Sequence, residues 1–111
     1  MDRNTFINEH TGICRQAREL VDIKIKGYSG DNTSVFSNFS RVEDLGICST
    51  STGILARMAD KMGRLTTYIN SGGQLVGDEK FTDTLMDLLN YTIFLSVLNS
   101  GVRPVSDEVD E

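Results

Sequence analysis

Residues 78–98, DEKFTDTLMDLLNYTIFLSVL, constrain the fold more than any other stretch of the chain. Glu79, Asp83 and Asp87 recur every fourth position, which lines three acids along one face of a helix. Through Thr84 the pattern is amphipathic. From Leu85 to Leu98 apolar residues occupy nearly every side, the signature of a helix buried all round. Asp87 and Asn90 fall inside that greasy half, so they cannot all face water. A carboxylate in such surroundings costs several kcal/mol unless a cation, a metal or hydrogen-bond donors compensate it.

The rest of the chain reads as three further helices with no competing strand run or repeat. Residues 5–25 place Phe6, His10, Ile13, Ala17, Leu20 and Val21 near one stripe, which predicts an amphipathic helix despite Gly12. His10, the lone histidine, belongs to that stripe and is expected as a packed core residue. After Gly27 and Gly30, the caps Asp31, Asn32, Thr33 and Ser34 announce a short second helix running to about Leu45, with Gly46 at its C′ position. A third helix should start within residues 49–52 and run to Asn70, burying Ile54, Leu55, Met58, Met62, Leu65 and Ile69. Asp78 caps the fourth, from about 79 to 99, and Gly101 and Pro104 end it. The expected class is all-α, a four-helix bundle with a short second helix.

With 111 residues, 39% hydrophobic and 24% charged, the sequence describes one globular domain over residues 1–104 and a disordered acidic tail over 105–111. Its net charge is −5, but Asp107, Glu108, Asp110 and Glu111 supply four of the acids. Residues 1–104 therefore carry 11 basic and 12 acidic groups, a nearly neutral body. Duplex-DNA binding, which calls for a basic stripe, is disfavoured; a small phosphorylated ligand needs only a few local cations. No segment has the length and purity of a membrane span, and MDRNTFINEH lacks the order of a signal peptide, so the expected compartment is the cytoplasm, the host's if the protein is viral. Cys14 and Cys48 fit no metal spacing and are expected as thiols in the core. A fourth helix this apolar exceeds what three small helices can cover, which predicts a symmetric homo-oligomer formed through the apolar helix surface.

Chemistry concentrates on the third and fourth helices. Arg57, Asp60, Lys61 and Arg64 stand at i, i+3, i+4 and i+7, a polar stripe that a short turn would bring against Glu79, Asp83 and Asp87. The spacing fits a salt-bridge ladder. It also fits a shared site in which carboxylates hold Mg²⁺ and cations grip phosphate. In the second helix, Asn38, Phe39 and Arg41 offer base-edge hydrogen bonds, stacking and charge, although Phe36 and Phe39 at i, i+3 are the usual spacing of core residues.

Three ordered pieces, YSGDNTSVFSNF, GIC with RMADKMGRL, and GDEKFTDTLMDLLNYTIFL, resemble the nucleotide modification associated domain 1 family, frequent in phages and prophages. The resemblance covers roughly residues 20–98. That family is similar to the MazG-like and dimeric dUTPase all-α nucleotide pyrophosphohydrolases, which hold Mg²⁺ with E-x-x-E on one helix and E-x-x-D on the next. Here the second motif keeps Asp87 but has Thr84 in place of an acid, and the first reads Arg57-Met58-Ala59-Asp60.

The resemblance adds to the shared-site reading of the stripes, with Asp60, Glu79, Asp83 and Asp87 expected as metal ligands; the residues themselves put Arg57, Lys61, Arg64, Asn38, Arg41 and Asn90 toward a nucleotide. Exchanging acids for Thr84 and Arg57 moves such a site from metal binding toward direct phosphate binding, because arginine offers a bidentate fork. The expected function is recognition of a phosphorylated nucleotide or cyclic oligonucleotide without efficient hydrolysis, in base modification or in sequestering a defence signal. The alternatives are a Mg²⁺-dependent pyrophosphohydrolase and a structural interaction module.

Overall fold

The computed structural model describes residues 1–29, 34–73 and 80–101. Among them the chain is all-α, with α1 (Arg3–Ser29), α2 (Ser37–Asp44), α3 (Thr50–Asn70) and α4 (Phe81–Leu98), and no strand. No described helix is long and apolar enough to cross a membrane.

The α3 boundaries follow from local chemistry. Ser49 sits in extended backbone and its Oγ accepts from the Thr52 N–H at 3.1 Å, satisfying an orphan donor of the first turn. At the far end Gly72 and Gly73 take φ of 78° and 99°, a left-handed region that a side chain would oppose. Gly46, at φ 78°, closes α2 in the same way. α2 starts at Ser37, later than the caps at 31–34 predicted, and Asp31, Asn32, Thr33 and the Asp78 cap lie outside the described residues. α1 is longer than expected because Gly27 does not stop it, and Asp2 begins it by accepting from the Thr5 N–H at 2.8 Å.

α3 and α4 form an antiparallel pair that is the main packing unit. Tyr68 stacks on Phe81 at 4.2 Å at one end, and at the other the Asn99 side chain donates to Ser51 Oγ at 3.0 Å. α2 closes one side through Phe39, whose ring meets Phe94 edge-on at 4.7 Å and Tyr91 at 6.0 Å. Glu43 of α2 reaches the start of α3, accepting from the Thr50 N–H at 2.7 Å and its hydroxyl at 2.8 Å. α1 packs across α4, where the buried Asn90 amide donates to the Ala17 carbonyl at 3.1 Å.

The core of the single chain is small: among the described residues the buried apolar side chains are Ala17, Phe39, Ile54 and Leu65. Several sequence expectations fail on this point. α4 is not enclosed on all sides, since Leu85, Ile93 and Val97 are exposed. On α3 Ile54 and Leu65 are buried as predicted, but Leu55, Met62 and Ile69 are exposed. His10 and Cys14 face solvent side by side, Sγ 3.8 Å from Nδ1, and Cys48 is half-buried. On α1, α3 and α4 helical periodicity identified an apolar face, but the described elements are too few to cover every such face.

Candidate functional site

Three helices converge on Asp87. Its Oδ1 accepts from Lys24 of α1 at 2.8 Å and its Oδ2 pairs with Lys61 of α3 at 3.0 Å. Burial pushes the carboxyl up, but hydrogen bonds and charge from both lysines outweigh it and hold Asp87 below its ordinary value. Lys61 is one of the three cations that the polar stripe of α3 offered to the acids of α4. Lys24 was missed, although its position carried a signal: it lies seven residues after Ala17 and four after Leu20, on the apolar stripe of α1, where a cation needs a buried acid.

Beside this triad lies a cavity of about 90 Å³, walled by Phe39, Tyr91 and Phe94 and reached by Lys24, Arg57, Asn38 and Asn90. Arg57 places its guanidinium over the Phe39 ring at 4.9 Å, a cation–π contact, and the residue is exposed to solvent. Lys24, Arg57 and Lys61 against Asp87 leave a local excess of two positive charges. A cavity of that size takes a few waters or part of one ring, so a larger ligand would lie across the mouth.

The predicted site residues divide accordingly. Arg57, Lys61, Asn38, Asn90 and Asp87 are brought together at or beside this cavity, with Asn90 fixed by its bond to Ala17. Arg64 is exposed and pairs with Asp60 one turn earlier at 3.4 Å. Arg41 is exposed and does not line the cavity. Asp83 borders a separate depression with Ile13, Gln16 and Leu20. Glu79 lies outside the described residues.

Among the described residues no three His, Cys, Asp or Glu side chains cluster in a way that could hold a metal ion. At Asp87 both oxygens already face ammonium groups, which repel a divalent cation, so the donor set here does not fit Mg²⁺. Thr84, standing where a second acid would complete the metal motif, is fully buried and directs its hydroxyl to the Lys80 carbonyl at 3.4 Å. An acid in its place would be enclosed without water. Comparison with known proteins gives no match: no family model, characterised protein or solved structure matches the chain.

Proposed function

We propose that the protein recognises a phosphorylated nucleotide, linear or cyclic, at the mouth of the cavity between α1, α2, α3 and α4, and does not hydrolyse it efficiently. The observation that carries this is a small aromatic cavity lined by Lys24 and Arg57 with Asp87 as the acid among its lining residues, a carboxylate that Lys61 already neutralises from behind. Arg57 and Lys24, the more exposed cations, supply charge-assisted bonds to phosphate oxygens. Phe39, Tyr91 and the Asn38 amide supply an apolar edge and polar recognition for a base. The scaffold of this proposal is a MazG-type bundle that works as a homo-oligomer, and its setting is phage nucleotide metabolism or capture of a host nucleotide signal.

Catalysis of the MazG-like type would need Mg²⁺ at Asp60, Glu79, Asp83 and Asp87. The ammonium groups on Asp87 disfavour it. A purely structural role is the stronger rival, because both Asp87 oxygens are satisfied without any ligand.

Native mass spectrometry of the purified protein, followed by calorimetry with nucleoside triphosphates and cyclic dinucleotides, tests the proposal. Expected are a retained or titratable nucleotide and its intact recovery after incubation with Mg²⁺ and heating. Absence of affinity for every member of the panel leaves the structural role standing. Rapid, EDTA-sensitive pyrophosphate release that disappears in Asp87→Asn would establish the pyrophosphohydrolase instead.

A further inference from the structure

Every residue from Met1 to Thr11 is exposed, although α1 has already begun at Arg3. The exposed stretch includes Phe6 at 57% and Ile7 at 46%, and the ring contact that Phe6 makes is with His10 of its own helix. These side chains are not scattered. Counted at 100° per residue, Phe6, Ile7, His10, Ile13 and Cys14 continue the stripe on which Ala17, Val21 and Lys24 pack against the body. The face that holds α1 to α4 thus runs on for about three more turns left uncovered by the described residues of its own chain.

Such an arm is not helical on its own merits. Asn4, Thr5, Asn8, Thr11 and Gly12 are poor helix formers, so as the free end of the 27-residue α1 the arm is prone to fray. Packing on its apolar face would hold it. Close by, α1 and α4 enclose an open apolar groove of about 390 Å³ lined by Cys14, Ala17, Leu89, Ile93, Phe94 and Val97. Ile93 is 50% exposed on its wall.

We infer that the occupant of this groove is the α1 arm of a second copy of the chain, exchanged reciprocally about a two-fold axis. The area favours a second copy. Together with Ile13, Leu85, Ile93 and Val97, each 41–50% exposed, Phe6 and Ile7 of the arm make six large apolar side chains left in water. A stable homodimer interface buries roughly 800 Å² per partner, about two-thirds of it apolar. An isologous contact supplies arm and groove in equal number, so neither is left over. This arrangement specifies which surfaces join in the oligomer of the proposed function, and it is measured without any nucleotide, so the two can fail separately.

Light scattering of the full chain should give a mass above one subunit, and Phe6→Glu and Ile93→Glu should each shift it toward one subunit at micromolar concentration. Both positions are exposed, so circular dichroism of the variants should retain α2–α4. In wild type, hydrogen exchange should show residues 3–12 protected at high concentration, with that protection lost on dilution. Cys14, on the groove wall, should react with maleimide several-fold more slowly in wild type than in Phe6→Glu. A monomeric wild type would overturn the inference. So would an oligomer that survives Phe6→Glu but dissociates in Met62→Glu on the exposed face of α3, or equal Cys14 labelling in wild type and Phe6→Glu.

Discussion

Lys61 and Asp87 meet at 3.0 Å with side chains only 13% and 14% exposed, deep between α3 and α4. Lys24 holds the other oxygen of the same carboxylate from a position 40% exposed. The two lysines are therefore unequal, and substitutions separate them. Lys24→Ala should cost about 0.5–1 kcal/mol, as for a solvated pair. Asp87→Asn should cost more, about 1–3 kcal/mol, because it removes the negative charge that two ammonium groups share, one of them shielded from water. Urea unfolding midpoints with unchanged slope would show the difference.

Acid sensitivity follows from the same carboxyl. Its folded value lies below the unfolded one, so its contribution is present above about pH 4 and is lost as pH falls through the depressed folded value. Stability of the wild type should drop on that limb, and Asp87→Asn should flatten it. Identical limbs in the two proteins would show that other carboxylates govern acid unfolding. Glu43, lowered by the Thr50 N–H and hydroxyl, is the next group to replace.

Ligand affinity should divide the arginines. Arg57→Ala removes a phosphate contact at the cavity mouth and should weaken nucleotide binding by about 1.5–3 kcal/mol, tenfold or more in Kd. Arg64→Ala, which breaks a surface pair with Asp60, should leave Kd within about twofold. Calorimetry with the two variants at matched salt reads both.

Two glycines of α3 should respond oppositely to the same change. A Cβ at Gly63 meets nothing within 4 Å, so Gly63→Ala should stabilise by about 0.5–1 kcal/mol through helix propensity. A Cβ at Gly53 would stand 2.9 Å from Val42 Cγ2, a stiff β-branched side chain. Gly53→Ala should therefore lose that gain to overpacking of about 1–3 kcal/mol and push α2, with Asn38 and Phe39, away from the cavity. Thermal unfolding of both variants decides.

How far the sequence disclosed this structure depends on which interactions were local. Ser49, Gly46 and the Gly72–Gly73 pair act within a few residues of themselves, so the start of α3 and the ends of α2 and α3 were legible. Asp87 in an apolar helix required a cation, and the stripe of Arg57, Lys61 and Arg64 offered three, of which Lys61 is the one that reaches it. Lys24 belongs to a helix whose docking angle no local pattern specifies, which is why the third member of the triad stayed hidden. Burial was misjudged at Leu55, Met62 and Cys14 for another reason. Periodicity reports that a face is apolar and is silent on what covers it.

Sequence separation at the α1–α4 junction also sets an order of events. Lys24 meets Asp87 across 63 residues and Asn90 meets Ala17 across 73, whereas Lys61 and Asp87 belong to helices adjacent in the chain. Loop closure favours the α3–α4 hairpin first, with α1 docking last, so the triad and the cavity exist only once the most distant contacts have formed. On a ribosome α1 leaves the tunnel earliest, yet its mate is made more than sixty residues later. For several seconds of synthesis Ala17 and Val21 have no native surface to rest on, and that interval is when the nascent chain is most open to capture by holdase chaperones.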